Sequence, residues 1–323
     1  MRTYKQLTYE QRCQIEALKK SGISQQSIAA VISVSQSSVS RELSRNVGAR
    51  GYRHKQAQQK MKERRQATVK PYKMTVELID EIEDKLWLKW SPEQISGWLL
   101  VNEDTCISHE SIYQHVWADK ETGGDLYQHL RRHARKYKAR GSNGKTRSGQ
   151  IKNRVSIDDR PDSVDEKMAV GDWEIDTIIG KNHSGALVTI VERVTLFTVS
   201  TQVKSKRAKE VTAATIALLT PFKNLVRTIT SDNGKEFAYH EQIAAGLACD
   251  FYFAHPYRSW ERGLNENTNG LLRQYFPKST DFKTISAKAV TLSMNQLNDR
   301  PRKTLAFKTP AVLMRAEMAA LAA

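Results

Sequence analysis

Beyond Gly171 the apolar residues stop recurring at helical spacing and run instead as short β-branched stretches. DWEIDTII, residues 172–179, reads as a first strand. LVTIVER and LFTVSTQV, divided around Val194-Thr195, read as a hairpin. Lys206 to Leu219 carries Val211, Ala214, Ile216 and Leu218 and predicts a helix. VRTIT predicts a fourth strand, Glu236 to Leu247 a helix, and DFYFA a fifth strand that ends at Pro256. A last helix follows through RGLNENTNGLLRQYF. Three strands, a helix, a strand, a helix, a strand and a helix allow few folds, all of them α/β with a mixed sheet.

Three acidic residues fall at telling places in that order. Asp176 lies at the centre of the first strand, Asp232 closes a β-rich run, and Glu266 lies on the last helix, with 33 residues between it and Asp232. The order is that of the ribonuclease-H-like fold, which puts carboxylates at the centre of a mixed sheet and on a flanking helix. Two strand-borne carboxylates and one helix-borne carboxylate suit hard divalent cations. Mg²⁺ takes oxygen ligands, keeps several waters and completes its shell with substrate phosphate. Two such ions, with Mn²⁺ able to substitute, clamp the attacking and leaving oxygens of a phosphoryl displacement. Asp176, Asp232 and Glu266 are therefore the candidate metal ligands and catalytic residues. Rival carboxylates surround them. Glu174 shares the strand face of Asp176. Glu236 lies one helical turn past Asp232 and is expected to cap a helix. Glu261 lies five residues before Glu266, which turns it about 140° away on a continuous helix. Arg273 lies two turns beyond Glu266 on the same face, where it would hold a phosphate or a DNA terminus. His255, Arg258 and Trp260 form the loop before the helix and are candidate contacts to a DNA end. Asn233 and Gly234 suit a tight turn, and Asn265 and Asn269 are candidate hydrogen-bonding groups.

The net charge of +16 and pI near 9.7 point to a polyanionic partner, nucleic acid before membrane. Residues 1–150 carry 27 Lys+Arg against 16 Asp+Glu, and residues 151–323 carry 24 against 19, so the first half is the stronger grip. Within it, residues 1–46 predict a helix-turn-helix. Thr8 and Gln11 are spaced as a capping box, Gly22 ends the first helix, Ser24 caps the second, and Ser33-Val34 makes a tight break. Ile15, Leu18, Ile28, Ala29, Ile32, Val39 and Leu43 face inward. In this motif the second helix enters the major groove. Gln36, Ser37, Ser40, Arg41 and Arg45 are thus candidate DNA contacts. Residues 47–74 are a basic linker, either a helix or a tether along phosphates. Residues 75–130 predict a second helical module with caps at Thr75, Ser91 and Ser108. If it is another helix-turn-helix, His109, Ser111 and Gln114 face DNA, while Trp87, Trp90, Trp98 and Trp117 are expected in its core. Residues 131–164 are a flexible basic linker, with eleven Lys+Arg against two Asp over 131–160. The catalytic domain and its C-terminal helices take residues 165–323. Cys13, Cys106 and Cys249 are scattered, so neither a disulfide framework nor a zinc site is expected. No signal peptide and no run long enough for a membrane span are evident, which predicts a cytoplasmic, nucleoid-associated protein.

The motifs GDWEIDTIIG, SDNGKEF, RGLNENTNGLLRQYFPK and LNDRPRKTLAFKTPAVL, with the 33-residue spacing, resemble the insertion-sequence-thirty family of bacterial transposases, within the retroviral-integrase-like superfamily. With the helix-turn-helix, the resemblance covers nearly the whole chain. It implies Asp176, Asp232 and Glu266 as the catalytic triad, and none of the three departs from the family pattern. The zinc-binding His and Cys pairs of retroviral integrases are absent, which favours the bacterial branch. The expected activity is binding of terminal inverted repeats, then metal-dependent cleavage and strand transfer, by a homodimer or larger assembly on double-stranded repeat and target DNA. Two other classes would share much of this sequence: a DNA-binding regulator with an inactive catalytic fold, and a nuclease of the same fold that does not join ends.

Overall fold

The computed structural model describes residues 6–67, 74–131, 151–256 and 258–322. The chain divides into two compact units, Met1–Lys73 and Met74–Ala323. In the first, α1 (Tyr9–Lys20), α2 (Gln25–Val31) and α3 (Gln36–Asn46) begin where short hydroxyl side chains can satisfy main-chain N–H groups. Thr8 Oγ1 accepts from Gln11 N at 3.2 Å and Gln11 Oε1 accepts from Thr8 N at 2.9 Å, completing the capping box. Ser24 and Ser35 cap α2 and α3 in the same way. Ser33, at φ 55°, makes the tight break between them. Ile15, Ile28, Ala29, Ile32, Val39 and Leu43 form the core, joined by Tyr52 and Ala57 from the basic stretch that follows. His54–Ala67 of that stretch is a helix, α4, so this part is not a tether. Residues 68–73 lie outside the described residues.

A buried ion pair ties this unit together. Arg12 and Glu42, 2% and 8% exposed, meet at 2.8 Å. Tyr52 Oη donates to Glu42 at 3.1 Å, and Arg12 also donates to Leu7 O and Gln58. Removing one partner of such a pair strands a buried charge. Glu42→Ala should therefore destabilise the helix-turn-helix unit by about 3–5 kcal/mol, read as a lowered midpoint in denaturant unfolding of the full chain.

The second unit opens with α5 (Val76–Trp87), α6 (Pro92–Glu103) and α7 (His109–Glu121), capped by Thr75, Ser91 and Ser108. Ile82, Leu86, Trp90, Ile95, Leu99, Ile112 and Val116 form their core, with Trp98 packed against it. Trp87 and Trp117 depart from expectation: they are 52% and 37% exposed. Ile112 and Val116 already fill the inner face of α7, which turns residue 117 outward. Trp87 ends α5 and packs its ring on His129, 4.1 Å between centroids.

The expected linker 131–164 is divided. Residues 132–150 lie outside the described residues, whereas 151–164 is docked on the catalytic sheet. Phe253 N donates to Val155 O at 3.0 Å, and buried Arg160 donates to Thr230 Oγ1 at 2.9 Å. A short helix, α8 (Asp162–Asp165), buries Val164.

Five strands follow: β1 (Asp172–Ile179), β2 (Ala186–Glu192), β3 (Thr198–Val203), β4 (Thr228–Ser231) and β5 (Asp250–Phe253). Their order is β3-β2-β1-β4-β5. The first three are antiparallel, and β4 and β5 run parallel to β1. Helices α9 (Ala208–Leu219), α10 (His240–Leu247), α11 (Gly263–Tyr275), α12 (Ala287–Asn298) and α13 (Pro310–Ala322) complete the unit. Side chains alternate across β1. Trp173 and Ile175 enter one core with residues of α9 and α10. Ile178 enters another with residues of α11 and α12. Glu174 and Asp176 share the second face. This is the ribonuclease-H-like arrangement. The α5–α7 module is seated on α11, where Gln274 Nε2 donates to His129 O at 3.4 Å and Arg131 donates to Asn267 Oδ1 at 3.2 Å.

Candidate active site

Strand alternation aims Asp176 at α11. Its carboxylate accepts from Thr177 N at 2.8 Å and from Asn269 Nδ2 of α11 at 2.9 Å. Thr189, opposite Asp176 on β2, donates to Asn269 Oδ1 at 3.0 Å and so fixes which amide atom faces the acid. Asp232 follows β4, the strand beside β1, and accepts from Gly234 N at 2.9 Å. The two carboxylates converge on one guanidinium. Arg262 lies 3.9 Å from Asp176 Oδ2 and 3.4 Å from Asp232 Oδ2. Burial pushes the Asp176 carboxyl up to about 6; Arg262 opposes that rise, and the nearby Asp232 adds to it.

Glu266 sits exposed in the first turn of α11 and lines the same cleft as Asp176, with Arg262, Asn269, Arg273 and Lys278. Among the described residues no three His, Cys, Asp or Glu side chains form a ready-made metal cluster. The donor chemistry nonetheless suits Mg²⁺. Two carboxylates already point at one cation, and Mg²⁺ needs only one or two, with water and phosphate supplying the rest.

The rivals are otherwise engaged. Glu174 is buried, pairs with Arg193 at 2.6 Å and accepts from Asn265 N. Burial pushes it above the usual carboxylate range. Glu236 does not cap a helix. It lies in a 3-10 turn (Lys235–Phe237), accepts from Thr177 Oγ1 at 3.0 Å and faces Lys206 at 3.7 Å, because that turn folds back beside Asp176 before α10 begins. A Cβ on Gly234 would stand 2.6 Å from the Glu236 carboxyl and 2.9 Å from Asp232 Oδ1, so only glycine leaves both acids in place. Glu261 is not on α11 but in the preceding 3-10 turn (Ser259–Arg262). It accepts from His255 N and from the His255 ring at 2.8 and 2.9 Å. The other ring nitrogen meets Asp158 at 3.0 Å. Hydrogen bonding to Glu261, then to Asp158, holds His255 above its ordinary range. Burial works to raise Glu261, but the bonds from His255 outweigh it and the carboxyl sits low.

The remaining predicted residues separate by surroundings. Arg258 is 54% exposed and lies 3.6 Å from Glu261. Trp260 is 72% exposed. Arg273 donates to the carbonyls of Ile179, Phe276 and Pro277 at 3.0, 3.4 and 3.3 Å, fastening α11 to the end of β1 while still lining the cleft. On α3, Gln36, Ser37, Arg41 and Arg45 are exposed and Ser40 is half-buried, opposite the inward Val39 and Leu43. Arg41 and Arg45 line a concavity with Arg64 and Arg65 of α4. On α7, His109 and Gln114 are exposed, whereas Ser111 is half-buried against the Ser108 cap. The sequence reading missed Arg262, Thr177 and Thr189. The spacing of Arg262, four residues before Glu266, is the one signal that could have found it.

In chain order, a helix-turn-helix precedes a ribonuclease-H-like sheet that carries two acids facing one guanidinium. A family described as a helix-turn-helix domain matches residues 3–46. The chain is 45% identical over 308 residues to the transposase for insertion sequence element IS4351 of Bacteroides fragilis, covering 95% of this chain and 94% of that protein. It is 36% identical over 318 residues to transposase InsI for insertion sequence element IS30A of Escherichia coli (strain K12), covering 94% and 82%. The transposase for IS1086 of Cupriavidus metallidurans is 35% identical over 318 residues, covering 95% and 93%. Among solved structures, the catalytic core domain of BIV integrase aligns with 47% of this chain and 99% of its own, at 18% identity and a TM-score of 0.39. The chain belongs to the IS30 family of transposases. Among the described residues no helix is long and apolar enough to cross a membrane.

Proposed function

We propose that the protein binds the terminal inverted repeats of an insertion sequence and, with Mg²⁺, cuts and joins DNA at Asp176, Asp232 and Glu266. The observation that carries this reading is that Asp176 and Asp232 face one guanidinium, that of Arg262, and that Asp176 and Glu266 line one cleft. When bound there, Mg²⁺ supplies Lewis-acid polarisation of the phosphoryl oxygen and a more acidic water. The chain's own residues do the rest. Thr177 N and Asn269 hold the Asp176 carboxylate in one orientation, and Thr189 holds Asn269. Lys278 and Arg273 give the cleft wall a positive charge that suits a phosphodiester. Water hydrolyses one phosphodiester to a 3′-OH and a 5′-phosphate; that 3′-OH then attacks a second phosphodiester and expels its 3′-oxygen, with no covalent protein–DNA intermediate. Two ends must be held together, so the working form is a dimer or larger.

The test incubates the full chain with a duplex ending in the element's repeats, a target duplex and Mg²⁺. Nicked and joined products are expected. Nicks without joining would indicate a nuclease, and binding without either product a regulator.

Recognition is assigned to α3. Arg41 is exposed and bonded only loosely to Ser37, at 3.4 Å. Arg41→Ala should weaken binding to the repeats by about 1–3 kcal/mol if it grips a guanine edge. Gel-shift titration on repeat and random duplexes checks this; equal loss on both would make Arg41 a phosphate contact.

A further inference from the structure

We propose that Arg262 is a built-in counter-ion: its guanidinium lies against both Asp176 and Asp232, and a divalent cation bound by those two acids must displace it. The inference rests on reading those aspartates as cation ligands. Two carboxylates that face one point repel unless a cation lies between them. The Arg262 guanidinium supplies that cation as a planar, delocalised charge.

The manner of holding suits release. The contacts of Arg262 to the two acids, at 3.9 and 3.4 Å, are long beside the 2.6 Å of Arg193 on Glu174 or the 2.8 Å of Arg12 on Glu42. Its one main-chain contact, to Ile175 O, is 3.5 Å, and its buried Nε has no hydrogen-bond partner. A guanidinium has five donors in a rigid fork. Here that fork is not matched to either carboxylate. Arg273, by contrast, is fixed on three carbonyls. Arg262 is also the last residue of the 3-10 turn before α11, and the next residue, Gly263, opens on free space. The side chain is thus held by the field of the acids more than by hydrogen-bond geometry. As a positioning residue it offsets the repulsion between the two carboxylates, and it competes with a divalent cation for them.

The measurement is Mn²⁺ affinity of the full chain without DNA, by electron paramagnetic resonance of the free ion, with Asp232→Asn marking which binding belongs to this site. Arg262→Gln should bind Mn²⁺ at least about fivefold more tightly than wild type, the effect of one unit charge about 4 Å away under water-like screening. Arg262→Lys should resemble wild type. A merely structural arginine would leave the affinity unchanged or lower it, and that result, with the variant folded by circular dichroism, overturns the proposal. If Mn²⁺ binding were the same in wild type, Arg262→Gln and Asp232→Asn, the aspartates would not be ligands, and both readings would fall. Should Arg262→Gln not fold, wild type still decides. Its Arg262 Nε–H resonance, assigned by its absence from Arg262→Lys, should shift during Mg²⁺ titration; a resonance that stays fixed at saturation overturns the displacement.

Discussion

Asp232→Asn should reduce cleavage and joining by about a thousandfold or more, since metal-held charge stabilisation is worth several kcal/mol and each 1.36 kcal/mol is a factor of ten. The fold should survive. Asp232 is 41% exposed, and an asparagine oxygen can still accept from Gly234 N. Only the charge is lost. Binding to repeat ends should be nearly unchanged, because α3 belongs to the other compact unit. Asp176→Asn is a less clean probe. Asn269 already donates its amide to Asp176, so a second amide there would set donor against donor and cost stability as well. Strand-transfer and gel-shift assays on the same preparation check the prediction; wild-type-like joining by Asp232→Asn would remove Asp232 from the triad.

The second large effect separates two glutamates. Glu266→Gln should lose activity in Mg²⁺ by about a thousandfold, with at best partial return in Mn²⁺. Glu261→Gln should stay within about tenfold of wild type, since a partly exposed ion pair is worth little. On one continuous helix, rotation alone would turn Glu261 away from Glu266. The structure replaces it: Glu261 lies in the turn before α11 and is bound to His255. Glu261→Gln should therefore also drop the His255 pKa back toward its ordinary value. The raised His255 pKa means that the Asp158–His255–Glu261 clamp stabilises the fold fully below the unfolded histidine value of about 6.5. That contribution is lost as pH rises through the raised folded value. Nuclear magnetic resonance titration of His255 reads it directly, and the two glutamate variants behaving in reverse would move the active-site helix to Glu261.

What was legible in the sequence is what local chemistry decides. The first strand was read as 172–179 and is Asp172–Ile179, because a β-branched run between Gly171 and Gly180 has no competing pattern. Five helix starts followed from Ser and Thr caps, whose bonds span three residues. The strand that carries Asp176, the strand that precedes Asp232 and the helix that carries Glu266 were legible because their apolar periods can be counted. The remainder depends on partners distant in sequence. Trp87 and Trp117 look like core until smaller side chains are seen to fill it. Residues 151–164 look like a linker until β5 offers Phe253 N to Val155 O. Glu236 looks like a cap until its turn brings it to Thr177. Arg262 is one of 51 Lys+Arg in the sequence and acquires a role only where β1, β4 and α11 meet.

The central claim is that Asp176, Asp232 and Glu266 form one cation-dependent centre for joining a 3′-OH to DNA. The most direct measurement gives the full chain a pre-cut repeat end bearing a free 3′-OH, together with a target duplex. Joined product should form in Mg²⁺, disappear with EDTA, and be absent with each of Asp176→Asn, Asp232→Asn and Glu266→Gln while the end remains bound. Joining that persists in EDTA, or in any one of those three variants, would contradict it.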